Sequence, residues 1–277
     1  MRFMILSDTK GKDNGINEKV VSKLLKESKK LKSEPEFIVL GGDNIAGSSD
    51  KAILVSQLQG FRALIEKYYS DKPLLPIIGN HEVNNEPIDN SYEKVFQMFY
   101  NYTLPDTCLE DYNNTAYYVD YGDTRLIILN SFHYGELNKI SEKQLAFFEA
   151  AASRETKNKF LFVHSPAFPT GAHLGHCLGL YPSERDAFWN IVKKHNIDIV
   201  FSGHEHNYSI RKIDCVHQII TGGGGEKLRD KYKDKKGVLV APIAKHHCVI
   251  VDVDEDFINV SAIGIDGKVL NKFKIDK

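Results

Sequence analysis

Neither sign of charge is in excess in this chain: Lys and Arg number 36 against 37 Asp and Glu, for a formal net charge of -1. That balance excludes a long-range field able to draw in extended nucleic acid or an anionic membrane. Any recognition of anions is therefore local. Cysteine is sparse, and Cys108, Cys177, Cys215 and Cys248 lie far apart with no Cys-x-x-Cys pair. Such spacing favours free thiols in a reducing compartment over a disulfide framework or a zinc knuckle. No apolar run is long enough to span a membrane. Only seven residues precede Asp8, and they already read as a strand, which leaves no room for a signal-type apolar segment. These absences together predict a cytoplasmic protein. Nor does any Pro/Gly/Ser-rich linker interrupt the chain.

What is present is a set of short hydrophobic runs, each ending in a polar cluster. Phe3 to Leu6, Phe37 to Leu40, Leu74 to Ile78, Phe160 to Val163 and Ile197 to Phe201 are β-branched or aromatic and bounded by turn residues, so they read as buried strands. Immediately after them stand Ser7-Asp8-Thr9-Lys10, Gly41-Gly42-Asp43-Asn44, Gly79-Asn80-His81-Glu82, His164-Ser165-Pro166 and Gly203-His204-Glu205-His206. In an α/β sheet, the loops that leave the carboxyl ends of strands line one crevice, where these side chains can meet. Carboxylate, amide oxygen and imidazole together suit divalent metals. Singly, an Asp after a strand is usually a turn or helix cap, and a lone His a surface group. As a set, they point to a metal centre.

Between the runs, Val20, Val21, Leu24, Leu25 and Leu31 share one helical face, and a second helix is expected from about Lys51 to Tyr69. The repeated strand, loop and helix order predicts a largely parallel sheet. Ala116 to Tyr121 and Arg125 to Asn130 flank Gly122-Asp123 as a hairpin, and a helix over about Glu142 to Ser153 follows. Beyond Tyr208, the runs Cys215 to Thr221, Val238 to Val240, Cys248 to Val253, Phe257 to Ile263 and Val269 to Ile275 read as antiparallel strands forming a second sheet against the first. Metal-type residues from Asp8 to His206 leave no place for a boundary, so residues 1–277 are expected to form a single domain. Four glycines at 222 to 225 precede no helical pattern and read as a tight bend near the site, not a nucleotide loop. The basic run from Glu226 to Lys236 is interleaved with acids and reads as a solvated loop.

The order Asp, Gly-Asp, Gly-Asn-His-Glu, His, Gly-His-x-His resembles the calcineurin-like metallophosphoesterases, the group that includes the purple acid phosphatases, over roughly residues 2 to 210. The resemblance implies an α/β fold of two stacked sheets flanked by helices, α/β/β/α. It implies two transition-metal sites holding manganese, iron or zinc. Asp43 would bridge them, Asp8 and His206 would complete the first site, and Asn80, His164 and His204 the second. His81 would face the substrate, donating a proton to the leaving-group oxygen or a hydrogen bond to the phosphoryl group, with Glu82 orienting it. Glu205 and Asn207 are expected to face solvent or to support the ligands from behind.

One position departs from the pattern. Most of the family has Asp-x-His in the first motif, whereas this chain has Asp8-Thr9-Lys10. The purple acid phosphatase branch compensates with a Tyr three residues after the bridging Asp, and here that residue is Ala46. An ammonium does not coordinate a metal, so three readings stand. Lys10 contacts the phosphoryl group in a weakened first site; water or one of His173, His176, Tyr208 and His133 completes that site; or the site is empty. The first is preferred.

The activity implied is hydrolysis of a phosphate mono- or diester, a small soluble organic phosphate, by metal-activated hydroxide. A catalytically reduced binding module on the same fold is the rival. Substrate-facing walls are expected from Phe168 to Pro182 and from Ser131 to Tyr134.

Overall fold

The computed structural model describes residues 1–100 and 107–277. Strands β1 (Arg2–Leu6), β3 (Phe37–Leu40) and β4 (Leu74–Pro76) form a parallel set, separated in sequence by the short β2 (Lys10–Asp13) and by helices α1 (Glu18–Ser28) and α2 (Lys51–Glu66). Helix α3 (Ser91–Tyr100) leads towards the β5 (Tyr117–Tyr121) and β6 (Thr124–Leu129) hairpin, then α4 (Glu142–Ser153) and β7 (Asn158–Val163) follow. Helix α5 (Pro182–Lys194) precedes β8 (Ile199–Ser202), β9 (Tyr208–Ile213) and β10 (Val216–Thr221). The chain closes with β11 (Val238–Ile243), β12 (His247–Val253), β13 (Phe257–Gly264) and β14 (Val269–Asp276).

Two sheets result. One is ordered β14-β13-β12-β1-β3-β4 and the other β11-β9-β10-β8-β7-β6-β5. Each is mixed. Parallel pairs occupy β1, β3 and β4 in the first and β6, β7, β8 and β10 in the second, with antiparallel strands at the margins. The expectation of one parallel sheet backed by one antiparallel sheet is thus corrected. Hairpin connections carry β9 alongside β10 and β12 through β14 alongside one another, so the C-terminal strands extend both parallel sets. Strand β4 stops at Pro76, short of the expected Ile78, where its partner β3 ends at Leu40, although the Ile77 N–H still donates to the Leu40 carbonyl at 2.8 Å.

Alternation along the strands builds three apolar layers. Phe3, Ile5, Phe37, Val39, Phe160, Phe162, Ile199 and Phe201 point between the sheets. Their neighbours Met4, Leu6, Ile38 and Leu40 meet α1 and α2, while Leu161, Val163 and Val200 meet α4 and α5. The Phe3 ring stacks on Phe37 at 5.1 Å and meets Phe160, Phe162 and Phe201 edge-on. Each such ring contributes about 2–3 kcal/mol by leaving water. This sandwich, helix-covered on both outer faces, holds the carboxyl ends of β1, β3, β4, β7 and β8 at one rim.

Candidate metal centre

All of the candidate metal residues lie just beyond those strand ends: Asp8 after β1, Asp43 after β3, Asn80 after β4, His164 after β7, and His204 and His206 after β8. They converge. The ligand atoms of Asp43, His164 and His204 fall within 4.8 Å of one another, and so do those of Asp8, Asp43 and His206. Asp43 belongs to both groups. The Asn80 amide oxygen lies 3.0 Å from His204 Nδ1, and its amide nitrogen donates to Asn85 Oδ1 at 2.6 Å, which holds the oxygen turned towards the cluster.

The backbone bends at the ligands themselves. Asp8, Asp43 and His204 adopt φ of 58°, 51° and 68°, the left-handed region that costs a residue with a side chain about 1–3 kcal/mol. At His204 this bend separates it from His206, as two residues on one extended segment require. The adjoining glycines serve mainly by close approach. A Cβ on Gly203 would sit 2.3 Å from Ser7 Oγ, and one on Gly79 would sit 2.4 Å from Asp43 Oδ1.

Each site histidine has one ring nitrogen tied to a backbone carbonyl. His164 Nδ1 donates to the Gly41 carbonyl at 2.8 Å, His206 Nδ1 to that of Lys227 at 3.0 Å, and His204 Nε2 to that of His176 at 3.0 Å. A carbonyl only accepts, so the opposite nitrogen of each neutral ring offers a lone pair to the cluster. His164 Nε2 is buried with no hydrogen-bond partner, 3.3 Å from Asp43 Oδ1. His204 Nδ1 and the Asn80 oxygen face each other as two acceptors at 3.0 Å, an arrangement that a cation between them relieves. The donor set and its orientation fit divalent metal at both groups.

Electrostatics agree with that fit. Burial raises Asp8 to about 6, with Asp43 adding to the shift and His164 opposing it. Burial pushes Asp43 up as well, but His164 and Lys10 outweigh it and hold the carboxyl well below its ordinary value. His164 would be lowered by burial, yet the Asp43 and Asp8 carboxylates draw it up to about 9. Burial holds His204 well below the usual imidazole range and, with Lys10, brings His206 down to about 3. The centre is thus a cluster of buried carboxylates with His204 and His206 held neutral, while those carboxylates draw His164 towards its charged form.

Lys10 comes directly into this centre. Its Nζ lies 3.1 Å from Asp43 Oδ2 and 3.9 Å from Glu226 Oε2. Asp43 Oδ1 meanwhile faces His164 and accepts the His81 N–H at 3.0 Å, so the two oxygens look towards different groups. The His81 ring stands with Nε2 3.9 Å from Asp43 Oδ2. Its Nδ1 donates to the Ala46 carbonyl at 2.6 Å, which corrects the expected role of Glu82 as its orienting group. Glu82 is fully buried and instead accepts the backbone N–H groups of Asp43, Asn44 and Gly79 at 2.9, 2.7 and 2.8 Å. It fixes the loop of the shared carboxylate.

The four side chains considered as replacements for the missing first-motif His part company. Tyr208 is buried in the sandwich and turns its hydroxyl to Asn271, and His133 pairs with the Glu93 carboxylate at 3.0 Å while stacking on Tyr112. His176 offers its carbonyl to His204. The His173 ring lies 4.4 Å from His204 and 5.5 Å from His206, with Nε2 buried and without a hydrogen-bond partner.

A cavity of about 550 Å³ opens over the centre, walled by Phe132, Leu137, Asn138, His173, His176 and Arg229 besides the residues above. Both expected wall segments therefore contribute. Glu205, expected at the surface or behind the ligands, is wholly buried in the second position: its carboxylate accepts the Gly171, Ala172 and His173 N–H groups at 2.8, 2.6 and 3.1 Å and both Thr170 donors. Glu226 and Arg229 were hidden in an alternating charge run; the glycines before them were the one available signal. A Cβ on Gly224 would meet the Ser7 carbonyl at 2.3 Å, so the chain passes hard against the first motif and delivers both residues to the cavity.

Residues 1–208 match the pattern of the family described as calcineurin-like phosphoesterase. Serine/threonine-protein phosphatase CPPED1 of Homo sapiens is 22% identical, over 95% of this chain and 82% of that protein. Its Danio rerio counterpart is 21% identical over 79% of this chain and 69% of its own length. Among solved structures, purple acid phosphatase PPD1 from yellow lupin (Lupinus luteus) superposes with a TM-score of 0.77 at 18% identity, covering 100% of this chain. This chain spans about half of that enzyme, 53%. GAP50, described as the anchor in the inner membrane complex of Plasmodium, superposes at 0.67 with 15% identity, covering 100% of this chain and 88% of that one. Such neighbours share the fold; family membership rests on the sequence match across most of the chain. This protein belongs to the calcineurin-like phosphoesterase family, whose centre is dinuclear.

Proposed function

We propose that this protein is a metal-dependent phosphoesterase acting on a phosphate ester, with Asp43 shared between a second site of Asn80, His164 and His204 and a first site of Asp8 and His206. The observation that carries the reading is the pair of buried carboxylate and imidazole groups with one carboxylate in common. Manganese, iron or zinc bound there supplies a hydroxide nucleophile at neutral pH and offsets charge on the phosphoryl group. His81, held through Nδ1 by the Ala46 carbonyl, presents Nε2 towards the cavity as proton donor to the leaving oxygen. Lys10 contributes a fixed positive charge beside the phosphoryl position. Because its ammonium already engages Asp43 Oδ2, an ion at the first site competes with it, so that site is the weaker of the two. His173 is the side chain best disposed to complete it. As the relatives are named phosphatases, a phosphomonoester is the first substrate to try.

Asp43→Ala tests the assignment. It removes metal from both sites and lowers turnover of an aryl phosphate by more than Asn80→Ala or His206→Ala, and its effect is not additive with Asn80→Ala. Elemental analysis and steady-state kinetics on the three variants read it. Near-native activity in Asp43→Ala overturns the assignment.

A second reading, a binding module that kept the fold and lost turnover, draws on Lys10 and on the fold of the Plasmodium anchor. It requires that the wild-type protein fail on every mono- and diester supplied with each metal.

A further inference from the structure

The run from Glu226 to Lys236 looks balanced in sequence, but folding sorts its charges. Glu226 turns towards Lys10, with Oε2 3.9 Å from Nζ. Asp234 turns to the buried Arg211, whose Nη1 donates to Oδ2 at 2.8 Å. Among the described residues, Lys227, Arg229, Lys231, Lys233, Lys235 and Lys236 have no ion pair; Asp230 is the one carboxylate of the run left without a cation. Two of the three acids pair with cations from outside the run, and none of the run's own cations pairs with an acid.

Residues 227–235 run without helix, strand or turn; Lys227, Arg229, Asp230, Lys231, Lys233 and Lys235 are exposed, while Leu228, Tyr232 and Asp234 are half-buried. The segment is also fastened. Arg229 N–H donates to the His206 carbonyl at 3.0 Å, and the Lys233 and Asp234 N–H groups donate to Thr170 at 2.9 and 3.0 Å. The Lys231 carbonyl lies so close to Gly171 that a Cβ there would approach it to 2.4 Å. Arg229 stands in the cavity wall, and Lys227, Lys231, Lys233 and Lys235 lie outside its lining.

We propose that Lys227, Arg229, Lys231, Lys233 and Lys235 recognise the acidic flank of a phosphorylated peptide whose phosphate enters the cavity, an inference that rests on the phosphoesterase reading above. Several exposed cations on one fastened segment, none of them paired with an acid, complement the several carboxylates of such a flank. Arg229, with its planar fork of donors, suits the anion nearest the phosphate. Single-stranded nucleic acid fits less well, because its binding calls for aromatic stacking platforms. Tyr232, the one aromatic of the run, is half-buried and carries the Lys235 ammonium 5.3 Å from its ring centre.

The test compares three substrates on the metal-loaded protein: an aryl phosphate, a phosphopeptide with neutral flanks and one with acidic flanks. Wild type is set against a Lys231→Ser, Lys233→Ser, Lys235→Ser triple variant. Wild type prefers the acidic peptide by about tenfold in kcat/KM, through KM, and the preference shrinks as salt rises. The triple variant loses the preference and treats the aryl phosphate as wild type does. Absence of preference in wild type, its survival in the triple variant, or displacement of labelled peptide by a single-stranded oligonucleotide at lower concentration than by acidic peptide each overturns the proposal. If the aryl phosphate is not hydrolysed at all, the phosphoesterase reading fails on its own. Fluorescence anisotropy of the labelled acidic phosphopeptide, bound by wild type and not by the triple variant, then still decides for or against the segment.

Discussion

At the scale of single residues, the most consequential contact is the one between Lys10 Nζ and Asp43 Oδ2. An ammonium brings one charge and hydrogen bonds where a histidine brings a coordinating lone pair, so the two side chains set opposite conditions for a cation beside Asp43. Lys10→His therefore raises metal affinity at the Asp8, Asp43 and His206 group and moves the bound ratio towards two ions per chain. Lys10→Ala leaves occupancy of the Asn80, His164 and His204 group nearly unchanged while lowering turnover. Titration of metal-free protein with manganese and zinc, followed by elemental analysis, reads the first outcome without reference to activity. Equal and full occupancy of both groups in wild type contradicts the competition argument.

At the scale of elements, buried carboxylates pin site loops to one another. Glu82 gathers the loops after β3 and β4, and Glu205 gathers the turn at 170–173 onto the segment after β8. Glu205→Ala leaves four backbone donors and the Thr170 hydroxyl without their acceptor and lowers stability by about 3 kcal/mol. Hydrogen exchange quickens at residues 170–173 while β1 and β3 stay protected, and urea denaturation gives the energy. Uniform loss of protection through both sheets tells against a local anchor. The contrast between these glutamates and the metal-type residues shows what the sequence makes legible. Asp8, Asp43 and His164 announce themselves because each directly ends a hydrophobic run, a local signal. Most of the donors that Glu82 and Glu205 satisfy lie in other loops, so neither role has a local pattern, and Glu205 looks like a surface residue between two histidines. The sorting of charge between Glu226 and Lys236 is hidden for the same reason: Lys10 and Arg211, which pair with two of the acids, are distant in the chain. Strand β9 escapes notice because Arg211, buried against Asp234 and the Pro169 carbonyl, breaks its apolar pattern.

At the scale of the whole molecule, the candidate centre joins the two sheets at their shared rim. Asp8, Asp43 and Asn80 come from one sheet, His164, His204 and His206 from the other, and each of the two groups draws on both. An ion bound to either group thus ties the layers together beyond the phenylalanine core, and binds the native chain alone because the ligands are scattered over nearly two hundred residues of the unfolded one. Binding of that kind stabilises by mass action, about 2.7 kcal/mol at a free concentration one hundred times Kd. For a chain of this size, the gain corresponds to a rise in Tm of roughly 5–10 °C. Chelator-treated protein accordingly melts lower than protein resupplied with manganese or zinc, and the difference grows with metal concentration. His164→Ala, which removes a candidate ligand from the group proposed to bind more tightly, abolishes most of that increment while the chelated variant still melts cooperatively. Calorimetric scans across a metal series measure both effects. A Tm that does not move with metal in wild type overturns the coupling between the centre and the two sheets.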